Sequence, residues 1–237
     1  IFTLVSSGFI FEIFNNNISN YMITVVLFIL IINSMNLIDG VDGLSVSLLL
    51  VFTIFALLVS LHLPILDSKY YIVISIFSGS FFAFLLFNFP PAKIFLGDIG
   101  SQLLGWILGL FVIKLSSFFD NPLQKLYVLS FVSLPFYDVF FVIFKRFYLS
   151  NSTLLERIIR IAEPDQNHIH HLLLKSNFSQ KGCTLLLTFF YFLCSFISII
   201  PILINQFYLL VFVVVLVLNI FFRLFFEYKI TISNEIK

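Results

Sequence analysis

LSVSLLLVFTIFALLVSLHL, residues 44–63, runs for twenty residues without an Asp, Glu, Lys or Arg. Wound as an α-helix it reaches about 30 Å, the hydrocarbon thickness of a bilayer. Six further apolar runs are long enough, or nearly so, to do the same, near 20–35, 70–88, 102–119, 126–144, 184–204 and 207–226. The chain is 60% hydrophobic and 11% charged over 237 residues, with 34 Phe. A soluble domain carries roughly a quarter charged residues. This much apolar surface exceeds what one core can hide, so lipid must be the second solvent. The expected fold is all-α, a polytopic bundle of about seven transmembrane helices forming one membrane domain over 1–237.

The segment before Glu12 is also apolar but too short to span alone, and is expected to be the tail of a helix. No charged stretch followed by a small-residue cleavage site marks a signal peptide. Cys183 and Cys194, the two cysteines, lie in or beside apolar runs and read as small buried residues, not a disulfide framework. A net charge of +1 argues for neither nucleic acid nor an acidic partner.

Counting crossings sorts the connections. Loops 36–43, 88–101 and 145–183 are separated by two spans each, so they share one face with the tail 227–237. Loops 64–69, 120–125 and 205–206 share the other. The first face holds nine Lys or Arg, the second only Lys69 and Lys125, while Lys114 and Arg223 fall within spans. That bias makes the first face cytoplasmic. Asp39, Asp42, Asp98 and the histidines 168, 170 and 171 are on the same face. Three loops far apart in sequence thus bring acids and imidazoles to one surface.

The first loop reads Asn36-Leu-Ile-Asp39-Gly40-Val-Asp42-Gly43. Two carboxylates three apart fall on one side of a helical turn, and Asn36 extends that side. Gly40 and Gly43 allow close backbone approach and positive φ. Two readings stand: a polar turn capping the next helix, or carboxylates for Mg²⁺ and a diphosphate held through it. The second loop runs from Asn88 through Lys93 and Phe95 to Gly97-Asp98-Ile-Gly100-Ser101. Asp98 caps a helix expected to begin near Gln102, or serves as a metal ligand with that helix start facing phosphate oxygens. Phe95 is placed to stack on a base, and Lys93 to meet a phosphate or anchor the membrane face.

The third loop contains Glu163-Pro-Asp165-Gln-Asn167-His168-Ile-His170-His171. Structural zinc needs four ligands, and neither cysteine is placed to complete the set. Imidazoles near carboxylates suit phosphate contacts or proton transfer near neutral pH. His62 reads as structural. Asp138 lies inside an apolar run, where an acid is a functional candidate by default, though Lys145 and Arg146 offer an ion pair about two turns on.

Together the loops resemble the polyprenyl-phosphate N-acetylhexosamine-1-phosphate transferases. The matching stretches are NLIDGVDGL at 36–44, NFPPAKIFLGDIGS at 88–101 and PDQNHIHHL at 164–172, with LPFYD at 134–138 a weaker fourth. The resemblance implies transfer of a phosphosugar from a UDP-sugar to an undecaprenyl-type phosphate, with release of UMP. It implies Asp98 as the Mg²⁺ (or Mn²⁺) ligand. Asp39, Asp42, His170 and His171 would be catalytic. Asn36, Asn88, Phe95 and His168 would bind substrate, Asn88 and Phe95 at the uracil. The implied partners are a UDP-N-acetylhexosamine, a polyprenyl phosphate lipid, the membrane and a second copy in a homodimer. The histidine loop, interrupted by Ile169, looks like the N-acetylglucosamine branch, where the muramoyl-pentapeptide branch shows three adjacent histidines. The family also carries an Asp-Asp pair in an earlier cytoplasmic loop, and this sequence has none. With Ile1 at its start, the expectation is a longer parent with about three more spans upstream. A chain complete as it stands would instead be an inactive membrane scaffold. A transporter would place its acids near the midplane in broken helices, not in loops on one side.

Overall fold

The computed structural model describes residues 10–62, 68–149 and 167–235, and those residues are helical or in short connections, with no strand among them. The helices are α1 (Asn17–Ile38), α2 (Leu44–His62), α3 (Ser68–Asn88), α4 (Gly97–Ser116), α5 (Pro122–Tyr127), α6 (Ser133–Leu149), α7 (Ile169–Lys175), α8 (Gln180–Ile204) and α9 (Tyr208–Glu235). A 3₁₀ turn, Val128–Val132, joins α5 to α6 in one crossing. Seven stretches among the described residues are long and apolar enough to cross a membrane, matching the seven expected runs.

Local chemistry sets the helix ends. The Asn16 side chain accepts the Ile18 N–H at 2.9 Å to start α1, and Ser179 accepts from Gly182 at 3.1 Å to start α8. Asn205, in left-handed conformation, ends α8. The expected helical tail before Glu12 is corrected for its described part. Residues 10–16 are not helical and fold back along α1. The Phe11 N–H donates to Thr24 Oγ1 at 2.8 Å, and Asn20 Oδ1 accepts from both Ile13 and Phe14. Polar side chains on the first turns of α1 thus satisfy backbone donors that a helix would have used itself.

α1 packs most closely on α4. A Cβ at Gly105 would lie 2.6 Å from the Ile32 Cα, and one at Gly109 would lie 2.7 Å from the Phe28 ring. This small-xxx-small spacing lets two backbones meet where lipid offers no hydrophobic drive to association. The core lies between α1, α2, α4 and α8, around Phe28, Ile31, Met35, Leu48, Phe52, Leu108 and Leu187. Pro135 and Pro201 each lack the N–H that would bond four residues back. The Phe131 carbonyl, freed by Pro135, accepts from the Tyr191 hydroxyl of α8, while the Tyr127 hydroxyl of α5 reaches the Ser198 carbonyl near Pro201. Tyr191 thus satisfies the carbonyl that Pro135 frees, and Tyr127 ties α5 to α8 in return. α3 leans mainly on α2 and exposes Ile72, Ile76, Phe82 and Leu86, as suits a helix facing lipid.

Candidate active site

At one end of the bundle the α1–α2 turn, the α3–α4 connection and the start of α7 enclose a cleft of about 440 Å³. Asn36, Asp39 and Asp42 line one wall, Asn88, Phe95 and Asp98 a second, and His170 and His171 the back. Glu12 and Lys125, an ion pair at 3.6 Å, belong to the opposite end. The convergence expected from crossing parity is what the fold produces.

The walls are tied to one another by polar contacts. Asp42 Oδ2 accepts the Ala92 N–H at 3.1 Å, and its carbonyl accepts from the Thr184 hydroxyl at 2.8 Å. The Ser101 hydroxyl donates to Asn36 Oδ1 at 2.6 Å. The Ser45 hydroxyl donates to Asp39 Oδ1. Gly43 takes a left-handed φ of +71° where its turn passes the Asn88 carbonyl. Gly40 serves close approach instead: a Cβ there would lie 2.5 Å from His170 Nε2.

Burial lifts the Asp39 carboxyl above its ordinary range; the Ser45 hydrogen bond offsets part of this, and the Asp98 and Asp42 charges add to it. A cation among these acids would be welcome. His170 is 1% exposed, and neither ring nitrogen has a hydrogen-bond partner among the described residues. Burial, then the neighbouring His171, pushes its imidazole down to about 3 against a smaller pull from Asp138, so it is neutral near pH 7. Asn88 donates from Nδ2 to the Ile94 carbonyl at 2.9 Å, but its buried Oδ1 has no partner among the described residues. Unmet polar groups of this kind are uncommon in native structures and lie here against a cleft.

Several expectations change. α4 begins at Gly97, not near Gln102, and its N-cap is Leu96, so Asp98 sits exposed within the first turn and is not a capping residue. Phe95 is exposed at the cleft rim. Lys93 is exposed and does not line the cleft. His168 does not line it either: it is buried, with Nδ1 2.8 Å from Asp138 Oδ2. Asp138 pairs with Arg223 and not with Lys145, which bonds Glu227 at 3.1 Å. The helix direction explains this, since α9 brings Arg223 directly against α6. The sequence places Arg223 within a span without giving it a role, although a lone cation in an apolar run is itself a signal. Both cysteines are free and buried. Residues 150–166 lie outside the described residues, and with them Glu163 to Gln166 of the histidine loop and two of the nine cytoplasmic-face cations, Arg157 and Arg160.

The cleft loops can be set beside known proteins. Residues 2–116 match glycosyl transferase family 4. The chain is a relative of that family, as its loop motifs had indicated. It is 31% identical over 199 residues to a Bacillus subtilis protein named "Probable undecaprenyl-phosphate N-acetylglucosaminyl 1-phosphate transferase", covering 82% of this chain and 52% of that one. It is 28% identical over 193 residues to the decaprenyl-phosphate N-acetylglucosaminephosphotransferase of Mycolicibacterium smegmatis, covering 73% of this chain and 45% of the other. A shorter match, 43% over 98 residues, is to a phospho-N-acetylmuramoyl-pentapeptide-transferase of Borreliella burgdorferi, covering 36% of this chain and 28% of the other. The chain spans about half the length of the first two relatives.

Proposed function

We propose that this chain carries the active site of a polyprenyl-phosphate N-acetylhexosamine-1-phosphate transferase, working at the cytoplasmic edge of the bacterial plasma membrane. The cleft is the observation that carries the reading: three distant loops with the motifs of such transferases line one volume of about 440 Å³, and relatives are named for this transfer. In the reaction an oxygen of the lipid phosphate attacks the β-phosphorus of a UDP-N-acetylhexosamine. The bond from that phosphorus to the oxygen bridging to UMP breaks, and UMP leaves with it. One diphosphate link replaces another, so the step is close to thermoneutral.

Among the described residues no three His, Cys, Asp or Glu form a ready cage for an ion. The donor set nonetheless fits Mg²⁺ (or Mn²⁺), which takes one or two carboxylates and completes its shell with water and substrate phosphate. Asp98, exposed at the rim, would hold it, with Asp39 and Asp42 across the cleft. When bound, the ion would neutralise charge on the diphosphate and its departing half. The protein's own part is placement. Asn36 is fixed by Ser101 and Asp42 by Ala92, so both face the sugar-diphosphate without reorganising. The neutral His170 has one N–H, on whichever ring nitrogen carries the proton, to donate to a phosphate oxygen, and His171 stands beside it with ring centroids 4.1 Å apart. Asn88 Oδ1 can accept from a uracil imide N–H, and the exposed Phe95 ring can cover the base.

The donor sugar is N-acetylglucosamine or a close epimer. The interrupted histidine sequence and the first two relatives support this, while the shorter muramoyl match supplies the rival. The test uses membranes containing the whole protein, polyprenyl phosphate and Mg²⁺, with each UDP-sugar supplied in turn and UMP release measured. Turnover with the muramoyl-pentapeptide donor and with no simple UDP-N-acetylhexosamine would overturn the sugar assignment. No UMP from any donor would overturn the transferase reading.

A further inference from the structure

Behind the cleft, outside its lining, two charged side chains from different spans meet beneath the histidine segment. Asp138 of α6 and Arg223 of α9 are 6% and 3% exposed and form a direct ion pair. What they hold is one short piece of backbone. Arg223 Nη2 donates to the Asn167 carbonyl, the His168 imidazole bonds Asp138 Oδ2 through Nδ1, and the Ile169 N–H donates to Asp138 Oδ1 at 3.0 Å. Three consecutive residues are thus fixed by two side chains, and the next is His170. Arg223 is itself held by Glu227, 3.3 Å from Nε, and by the Phe141 ring, whose centroid lies 4.4 Å from its Cζ.

We propose that Asp138 and Arg223 are positioning residues that set the direction in which His170 enters the cleft; their effect on turnover rests on the transferase reading above. Stability alone is a weak account of the pair. Burying two charges has a desolvation cost that their attraction often only offsets, and apolar side chains of similar volume commonly stabilise as well. The pair supplies directed bonds on both sides of His168, which apolar packing cannot. His170 needs such external alignment because its own ring nitrogens have no partner among the described residues to orient it. The His168 and His170 rings lie nearly parallel, 7° between planes with centroids 6.1 Å apart, so fixing the first ring limits the second. Gly40 closes the other side, since its missing Cβ is the space Nε2 occupies.

The test is the double variant Asp138→Leu/Arg223→Met in the whole protein, which removes both charges and leaves neither stranded. Its melting temperature in detergent is expected to stay within a few degrees of the parent, while kcat falls about tenfold or more and the donor KM moves less than threefold. A second readout does not depend on turnover: carbethoxylation of His170 by diethyl pyrocarbonate, followed by mass spectrometry with exposed His62 as reference. The parent protects His170, and the double variant is expected to lose that protection. Arg223→Lys keeps the charge but lacks the fork needed to hold Asp138 and Asn167 together, so a smaller kcat loss at parental stability is expected. Parental kcat with His170 still protected, in either variant, would reduce the cluster to a structural ion pair. If the parent releases no UMP from any donor, the transferase reading fails separately, and unchanged His170 protection in the double variant would still sink the clamp.

Discussion

Asp39 and Asp138 are carboxylates at the same end of the bundle, in opposite circumstances. Asp138 is sealed, and its oxygens are met by Arg223, His168 and the Ile169 amide. Asp39 is half-buried, bonded by Ser45 and crowded by the charges of Asp42 and Asp98. The histidines divide likewise, with His168 bonded in the sealed cluster and His170 left unmet against the cleft. A buried polar group normally finds its partners, and the sealed cluster obeys that rule. The cleft departs from it at Asn88 Oδ1 and at both nitrogens of His170. Within these two regions the groups that hold the backbone are satisfied by the chain, while Asn88 Oδ1 and the His170 nitrogens stay open beside the cleft. Buried hydroxyls elsewhere, such as those of Ser130 and Thr188, are unmet as well and face no cleft. Residue type does not separate the two regions; hydrogen-bond accounting does.

The comparison breaks most sharply at Asp98. Asp98→Asn keeps the shape of an exposed side chain that caps nothing, so folding and membrane insertion should be unchanged. An amide is a poor Mg²⁺ ligand, and UMP release is expected to fall roughly a hundredfold or more. Near-parental turnover in membranes would show that this acid is not part of the reaction. Gly40→Ala tests the boundary between the two regions. The added Cβ would fall 2.5 Å from His170 Nε2, and the imidazole is wedged between that wall and the clamped backbone. Turnover should drop about tenfold, with a stability loss of roughly 1–3 kcal/mol from overpacking. Unchanged kinetics would mean that the ring can shift without consequence.

Acid provides a third break. His170 titrates near 3 in the folded protein and at 6.5 ordinarily. Between those values the unfolded chain takes up a proton that the folded chain refuses, so stability falls as pH drops below 6.5. Asp39 works the other way, because its raised carboxyl favours the folded state as acid protonates it. Melting in detergent from pH 7 to 4.5 should therefore fall for the parent and fall less for His170→Gln. Equal slopes in the two proteins would place the acid sensitivity elsewhere.

Much of this was legible in advance because lipid imposes two plain rules, on run length and on charge sidedness. The seven crossings and the meeting of three loops followed from those rules and the loop motifs. The rest depended on geometry that a linear pattern does not carry. The run 126–144 reads as one crossing, and nothing in it says that Tyr191 would meet the carbonyl Pro135 frees. Asp138 had two cations nearby in sequence and paired with one 85 residues away, because the neighbouring span was closer than the next turn. His168 and His170 are two apart in one motif, yet the backbone turning into α7 sends one behind the cleft and the other into it. The start of α4 was misplaced because Gly97-Asp98-Ile-Gly reads as loop, and glycines ordinarily disfavour a helix start of that kind.

The smallest effect is expected at Phe95, where the comparison between satisfied and waiting groups extends to an aromatic ring. Phe95 is 74% exposed at the rim of a cleft that apolar residues such as Val41 and Leu96 line together with the acids, amides and histidines. An exposed ring at a membrane edge has a ready alternative role as an interfacial anchor, since aromatic residues concentrate there. The two roles separate kinetically. A ring that covers the uracil contributes to donor binding and little to the transition state, so Phe95→Leu should raise the UDP-sugar KM about three- to fivefold with kcat unchanged. Phe95→Tyr keeps a stacking face and should restore the parental KM. An anchor would behave differently: Leu is itself at home in lipid, and the donor KM would not move in either variant. Measuring UMP release against donor concentration for both variants, at saturating polyprenyl phosphate, decides between them. A KM that rises equally in Phe95→Leu and Phe95→Tyr would also count against stacking, because the ring that should rescue binding would be present without doing so.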